Sequence, residues 1–284
     1  MDTMSSSSVA EKLHDLRMVV NRLGSTLVAF SGGVDSSFLL AVASEVLHER
    51  VVALMTVSSS TPPEDAEQAR TLARAFNVQL LLIPHDELAM AEYAANPINR
   101  CYFCKNSLYD ICQREAQRLS LASIIDGVNL DDLKDYRPGI KAATEYRIVH
   151  PLVEARFSKA DIRTASRALG LPTWEKPASP CLSSRVPYGT PITATMLSQI
   201  AQAETLIRVY GFHDLRVRHH GTTARIEVPK EDFPLLSSPA VVKIIQQRLK
   251  ELGFPSSVLD MEGYRSGVFN EGLTNNDKER GSFP

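Results

Sequence analysis

Residues 26–47, TLVAFSGGVDSSFLLAVASEVL, decide the reading of this chain. The first five are apolar or β-branched and the run is short, which predicts a buried strand at 26–30. Residues 38–47 continue as an apolar helix. Between them Ser31, Gly32, Gly33, Val34, Asp35 and Ser36 have the composition of an anion cradle. Two glycines let the backbone curl so that several N–H groups converge. The following helix adds its positive end and its unpaired donors. The hydroxyls of Ser31, Ser36 and Ser37 supply further donors. The loop lacks the G-K-[ST] ending of a Walker sequence and the G-x-G-x-x-G spacing of a dinucleotide fold.

The flanking sequence repeats the same strand–helix alternation. Val9, Leu13, Leu16, Val20 and Leu23 share one face of a helix at 9–23. Further strands are expected at 51–57, 78–83 and 122–126, with helices at 63–76, 102–119 and 158–169; Ser158 is the N-cap of the last and Gly170 follows it. This order predicts an α/β fold with a doubly wound parallel sheet. The pattern changes after about residue 185. A helix at 193–210, strands at 215–219 and 224–228 around a Gly-Thr-Thr turn, a helix at 239–252 and a strand at 257–261 predict a second, smaller α+β domain. Pro172, Pro177, Pro180, Pro187 and Pro191 mark an irregular joint. The expected division is an α/β domain at 1–185, a smaller α+β domain at 186–274, and a disordered polar tail at 275–284.

A chain of 284 residues suits two such domains. Lys plus Arg is 31 and Asp plus Glu is 33, a net charge of −2, so a dedicated polyanion binder is not expected and nucleic acid is an unfavoured partner. No apolar run approaches the roughly 18 residues of a membrane span, and Met1 to Ser8 has no apolar signal segment behind it. Four cysteines are too few for a disulfide scaffold. These readings predict a cytoplasmic enzyme.

Two of those cysteines, Cys101 and Cys104, open the helix at 102–119 at i, i+3 spacing, on one face and close enough for one metal centre. A disulfide is disfavoured in a reducing compartment. Structural zinc wants four ligands, and there is no second C-x-x-C. An iron–sulfur cluster on three thiolates needs one more cysteine, and Cys181 in the joint is the candidate. Cys112 lies roughly 16 Å along the helix from Cys101 and reads as core.

The loop at Ser31–Ser36 resembles the SGGxDS pyrophosphate loop of the PP-loop ATP pyrophosphatases. That resemblance implies cleavage of ATP between its α and β phosphates, giving pyrophosphate and an adenylated substrate. The stretch from Asp126 and Gly127 to Asp132 is similar to that superfamily's second loop. Four further stretches resemble the LarE family of ATP-dependent sulfur transferases: Asp135 to Gly139, Cys181 to Gly189, Arg216-Val217-Arg218 with Ala224 to Glu227, and Tyr264 to Gly267.

The LarE resemblance implies synthesis of the nickel-pincer nucleotide of lactate racemase. Each carboxylate of pyridinium-3,5-biscarboxylic acid mononucleotide would be adenylated and converted to a thiocarboxylate. It implies ATP and Mg2+, and a 4Fe-4S cluster on Cys101, Cys104 and Cys181. It also implies nickel-insertion and carboxylation enzymes as pathway partners, and a homo-oligomer, a hexamer. Cys181 and Asp35 are the catalytic candidates. Ser31, Gly32, Gly33, Val34, Asp35, Ser36, Ser37, Gly127 and Arg137 are the ATP-binding candidates.

A dicarboxylate mononucleotide is a small anionic substrate that calls for fixed guanidinium groups. Arg216 and Arg218 alternate along a strand and so share a face. With Ser184, Arg185 and Arg265 they are the substrate-binding candidates, and Glu204 is a candidate magnesium or metal ligand. His219-His220 reads as a surface pair. A PP-loop tRNA thiolase is the alternative, favoured by four arginines within 208–225 and disfavoured by the net charge. An ammonia-using amide synthetase would leave the three cysteines unexplained.

Overall fold

The computed structural model describes residues 8–134, 137–177, 179–212, 214–236, 238–265 and 274. The expected tail at 275–284, Asp135, Tyr136, Ser266 and Gly267 lie outside the described residues. The elements run α1 (Val9–Arg22), β1 (Thr26–Ala29), α2 (Val34–Leu47), β2 (Val51–Val57), α3 (Pro63–Ala75), β3 (Gln79–Pro84), α4 (Ala91–Ala94) and α5 (Arg100–Arg118). They continue with β4 (Ser123–Asp126), α6 (Gly139–Glu145), α7 (Pro151–Glu154), α8 (Lys159–Ala168) and α9 (Ala194–Arg208). Last come β5 (Arg216–His220), β6 (Thr223–Glu227), α10 (Phe233–Leu236), α11 (Pro239–Glu251) and β7 (Ser256–Leu259).

Two compact units result. The first comprises Met1–Val57, Glu64–His85 and Cys101–Ser179; the second comprises Ser58–Pro63, Asp86–Arg100 and Pro180–Pro284. The second unit therefore starts near the expected boundary but also takes two short excursions from the N-terminal part.

In the first unit four parallel strands are ordered β3-β2-β1-β4. Alternate residues of the central strands enter separate cores, as a sheet covered on both faces requires. Val28, Ala53 and Met55 pack with Leu16, Phe38, Leu40 and Phe157 on one side. Leu27, Ala29 and Leu54 pack with Tyr109, Cys112, Ala116 and Ala142 on the other. Cys112 is fully buried there, as expected for a core residue, and burial pushes its thiol up to about 12. The chain moves outward from β1 through β2 to β3, then returns to place β4 on the opposite side of β1. The gap between β1 and β4 is thus the topological switch point, where open α/β sheets bind ligands at their carboxyl ends.

The second unit holds a three-stranded sheet ordered β5-β6-β7, with β5–β6 antiparallel and β6–β7 parallel. Val217, Ala224 and Ile226 pack against Ala203 and Ile207 of α9 and Ile245 and Leu249 of α11. His219 alternates onto that side too. It is buried, its ring 5.1 Å from Phe254 and its Nε2 bonded to Gln199 Oε1 at 3.1 Å. The expected surface pair is therefore one core histidine and one exposed one, His220, because successive strand residues face opposite ways.

Candidate active site

The expected start of α2 at residue 38 is corrected to Val34. Gly33 is the N-cap in an extended conformation, and Ser37 N makes the first intrahelical bond, to Gly33 O, at 2.9 Å. Asp35, Ser36 and Ser37 thus form the first turn of the helix, and the N–H groups of Val34, Asp35 and Ser36 have no intrahelical partner. That is the donor set an anion at a helix start requires. Gly32 takes the left-handed φ of +69° that a tight turn out of β1 needs. Ser36 Oγ sits 3.1 Å from Ser31 Oγ and also accepts from Ser31 N. Ser37 is fully buried beneath the loop, so its hydroxyl lines the interior of the first turn rather than its open side.

Asp35 carries the charge of this turn. Its Oδ2 is 2.6 Å from Lys159 Nζ at the start of α8, while Oδ1 is buried without a hydrogen-bond partner. Burial raises its pKa above the ordinary carboxylate value, and Lys159 offsets that only in part. A perturbed carboxyl in a ligand-binding crevice is a functional-site signature. Ser37 Oγ, on the interior of the same turn, is also buried without a hydrogen-bond partner. A hard cation that keeps most of its waters and needs one or two carboxylates plus phosphate oxygens, such as Mg2+, suits Asp35.

The loop after β4 closes the other side. A Cβ on Gly127 would lie 2.9 Å from Ser36 N, 3.1 Å from Ser36 Cα and 3.2 Å from Asp35 C, so only glycine allows the two loops to meet. Asp126 accepts from Tyr109 OH at 2.6 Å, His150 Nδ1 at 2.7 Å and Val128 N at 3.1 Å. Burial pushes Asp126 up, but His150, Lys105 and Tyr109 together hold it below the usual carboxylate range. Asp131 accepts from Lys159 N at 2.8 Å, tying this loop to the start of α8. Arg137, expected at ATP, is exposed and pairs with Asp132 at 2.8 Å.

In the second unit the expected substrate residues converge. Arg185 is 1 % exposed and pairs bidentately with Glu204 at 2.9 and 3.1 Å. Its Nη1 also donates to Ser184 Oγ at 3.0 Å. Arg218 pairs bidentately with Glu227 at 3.0 and 2.8 Å and donates to Ser184 O. Arg216 lies over the Tyr264 ring, 5.0 Å from its centroid, and Arg265 is half-buried. Glu204 also accepts from Val217 N at 3.1 Å and Arg208 at 3.3 Å. Its pKa is pushed up by burial and pulled further down by Arg185. The expectation of Glu204 as a metal ligand meets a carboxylate whose two oxygens are occupied by protein donors. Buried Arg185, Arg216 and Arg218 lie with buried Glu204 and Glu227 in this unit, a fixed guanidinium frame of the kind that suits an anion.

Cys101 is exposed and Cys104 half-buried at the start of α5 in the first unit; Cys181 is half-buried in the second. Among the described residues, no group of three or more His, Cys, Asp or Glu side chains is placed to hold a metal ion. No described helix is long and apolar enough to cross a membrane. Lys159, His150 and Tyr109 were not singled out by sequence. A lysine at a helix start reads as solvated, and only the tertiary fold brings it to Asp35.

A family model for NAD synthase matches residues 9–99, which span β1, the anion cradle and β3. The pyridinium-3,5-bisthiocarboxylic acid mononucleotide synthase of Lactiplantibacillus plantarum is 35% identical over 272 residues, covering 94% of this chain and 97% of that protein. The chain belongs to that family. An uncharacterized protein of Synechocystis is 44% identical over 93% of this chain and 98% of its own length. An uncharacterized protein of Methanocaldococcus jannaschii is 28% identical over 84% of this chain and 90% of its own length. The match to the synthase family runs through both units, and the LarE family of sulfur transferases is the one the sequence motifs resemble.

Proposed function

We propose that this protein is an ATP-dependent sulfur transferase that adenylates the carboxylates of pyridinium-3,5-biscarboxylic acid mononucleotide and converts them to thiocarboxylates. The observation that carries the reading is the near full-length match to the bisthiocarboxylic acid mononucleotide synthase, with an anion cradle at the sheet's switch point.

A substrate carboxylate oxygen attacks the α-phosphorus of ATP, the bond to the bridging oxygen breaks, and pyrophosphate leaves. The product is an acyl-adenylate, so a poorly leaving carboxylate oxygen becomes part of AMP. A sulfur nucleophile then adds to the acyl carbon, and AMP leaves with that oxygen. The N–H groups of Val34, Asp35 and Ser36 and the ammonium of Lys159 stabilise charge developing on the phosphates. Mg2+ bound at Asp35 would neutralise phosphate charge. In the second unit, Arg216, held against Tyr264 and Leu215 O, with Arg218, held by Glu227, would bind the substrate phosphate or free carboxylate.

Cys101, Cys104 and Cys181 as ligands of a 4Fe-4S cluster rest on cysteine spacing and on the family resemblance. Such a cluster would supply the transferred sulfide. About four irons per chain after anaerobic reconstitution, lost in Cys101→Ala, supports that assignment. No iron in either protein overturns it and leaves Cys181 as a consumed donor. The proposal further includes a cytoplasmic homo-oligomer, with a carboxylation enzyme upstream and a nickel-insertion enzyme downstream. Its first test is the nucleotide product: the dicarboxylate must elicit AMP and pyrophosphate from ATP, and ADP with orthophosphate would overturn the reading.

A further inference from the structure

Lys176 lies between α8 and the second unit, far in sequence from the anion cradle, yet its ammonium reaches it. Nζ donates to Gly32 O at 3.2 Å, to Asp65 Oδ1 at 2.9 Å and to Gln68 Oε1. An ammonium has three N–H donors, and these three acceptors use all of them. The side chain is only 15% exposed, so Lys176 is laid out to hold the loop rather than to grip a phosphate itself. Asp65 and Gln68 belong to α3, and Ser179 Oγ also reaches Asp65, at 3.3 Å.

The contact with Gly32 has a geometric consequence. The carbonyl of Gly32 and the N–H of Gly33 share one planar trans peptide and point in opposite directions. A glycine at positive φ leaves that peptide free to rotate, because no Cβ restrains it. Fixing the Gly32 carbonyl against Lys176 therefore fixes the direction of the Gly33 N–H at the N-cap of α2.

We propose that Lys176 is a positioning residue for the nucleotide. By holding the Gly32 carbonyl it fixes the direction of the Gly33 N–H, which here points across the cradle to Ser31 Oγ at 3.4 Å and is positioned to turn to a phosphate oxygen instead, and it places beside the loop the cation that the loop's own sequence lacks. This rests on reading the loop as the ATP phosphate site.

Lys176→Met alone would strand the buried Asp65 carboxylate and cost stability, so the informative variant is Lys176→Met with Asp65→Asn. Mg-ATP alone is titrated calorimetrically against the full-length protein. The double variant is expected to bind about tenfold more weakly, as fits the loss of one oriented, charge-supported donor. Its kcat at saturating ATP is expected to fall less than its KM rises, a split that general loosening of the fold would not give. Asp65→Asn alone keeps the lysine–carbonyl bond and should stay within about twofold of wild type, and Lys176→Arg, which keeps donor and charge, within about threefold. Wild-type binding together with an unchanged double variant overturns the positioning role alone. Failure of the wild type to bind Mg-ATP overturns the loop reading and this role with it.

Discussion

Replacing Gly127 by alanine tests whether the two loops at the switch point form one nucleotide site. The added Cβ would stand 2.9 Å from Ser36 N, about 0.5 Å inside the 3.4 Å at which ordinary contact begins. Its three nearest neighbours are all backbone atoms of the first turn of α2, so no side-chain rotation relieves the overlap. Overpacking of this kind costs about 1–3 kcal/mol. At about 2–4 °C per kcal/mol for a domain of this size, the melting temperature should fall by roughly 2–12 °C. Relief must move the Asp126-Gly127 loop or the donor turn by about half an ångström. A 1 Å misplacement can cost about a hundredfold, so kcat/KM for ATP should drop about tenfold. Differential scanning fluorimetry and a pyrophosphate-release assay read the two quantities. A variant with wild-type melting and unchanged kcat/KM would refute the claim that the loops are in contact.

Glu204→Gln removes one charge from the buried pair and leaves Arg185 uncompensated, which should destabilise the protein by about 3–5 kcal/mol in urea unfolding; a change below about 1 kcal/mol would sink the pairing. Asp126 and Glu204 are both held below their ordinary pKa in the folded state. Their contribution is therefore fully present above the unfolded carboxylate range of about 4 and is lost as the pH falls through the depressed folded values. Glu204→Gln should accordingly lose less stability than wild type between pH 5 and the acid limit, and superimposable acid limbs would contradict that. Iodoacetamide should label Cys101 in the native protein and spare Cys112, whose thiol is buried and pushed up to about 12; early labelling of Cys112, read by peptide mass spectrometry, would contradict the core assignment.

The strands and long helices were legible because their periodicity is local: Thr26 to Ala29 is wholly buried, and α1, α3 and α11 begin at or within a residue of where their apolar spacing places them. The start of α2 was not, since Gly33 caps a turn that looks like loop until its hydrogen bonds are known. The short helices α4, α6 and α7 carry too few residues for a period to register. In the site, the cradle could be read from SGGVDS, whereas the partners of Asp35, Asp126 and Gly32 come from Lys159, His150 and Lys176, more than twenty residues away in every case. Arg185, Arg216 and Arg218 were identifiable as arginines in a pattern. That they are buried against Glu204 and Glu227 depends on packing that no spacing encodes.

The most direct test of the central claim is mass spectrometry of the reaction product. Anaerobically reconstituted protein is incubated with Mg-ATP, a sulfide source and pyridinium-3,5-biscarboxylic acid mononucleotide. The account predicts a product in which an oxygen of each carboxylate is exchanged for sulfur, with one AMP formed per exchange. ATP consumption without any oxygen-to-sulfur exchange, or exchange without AMP, would contradict it.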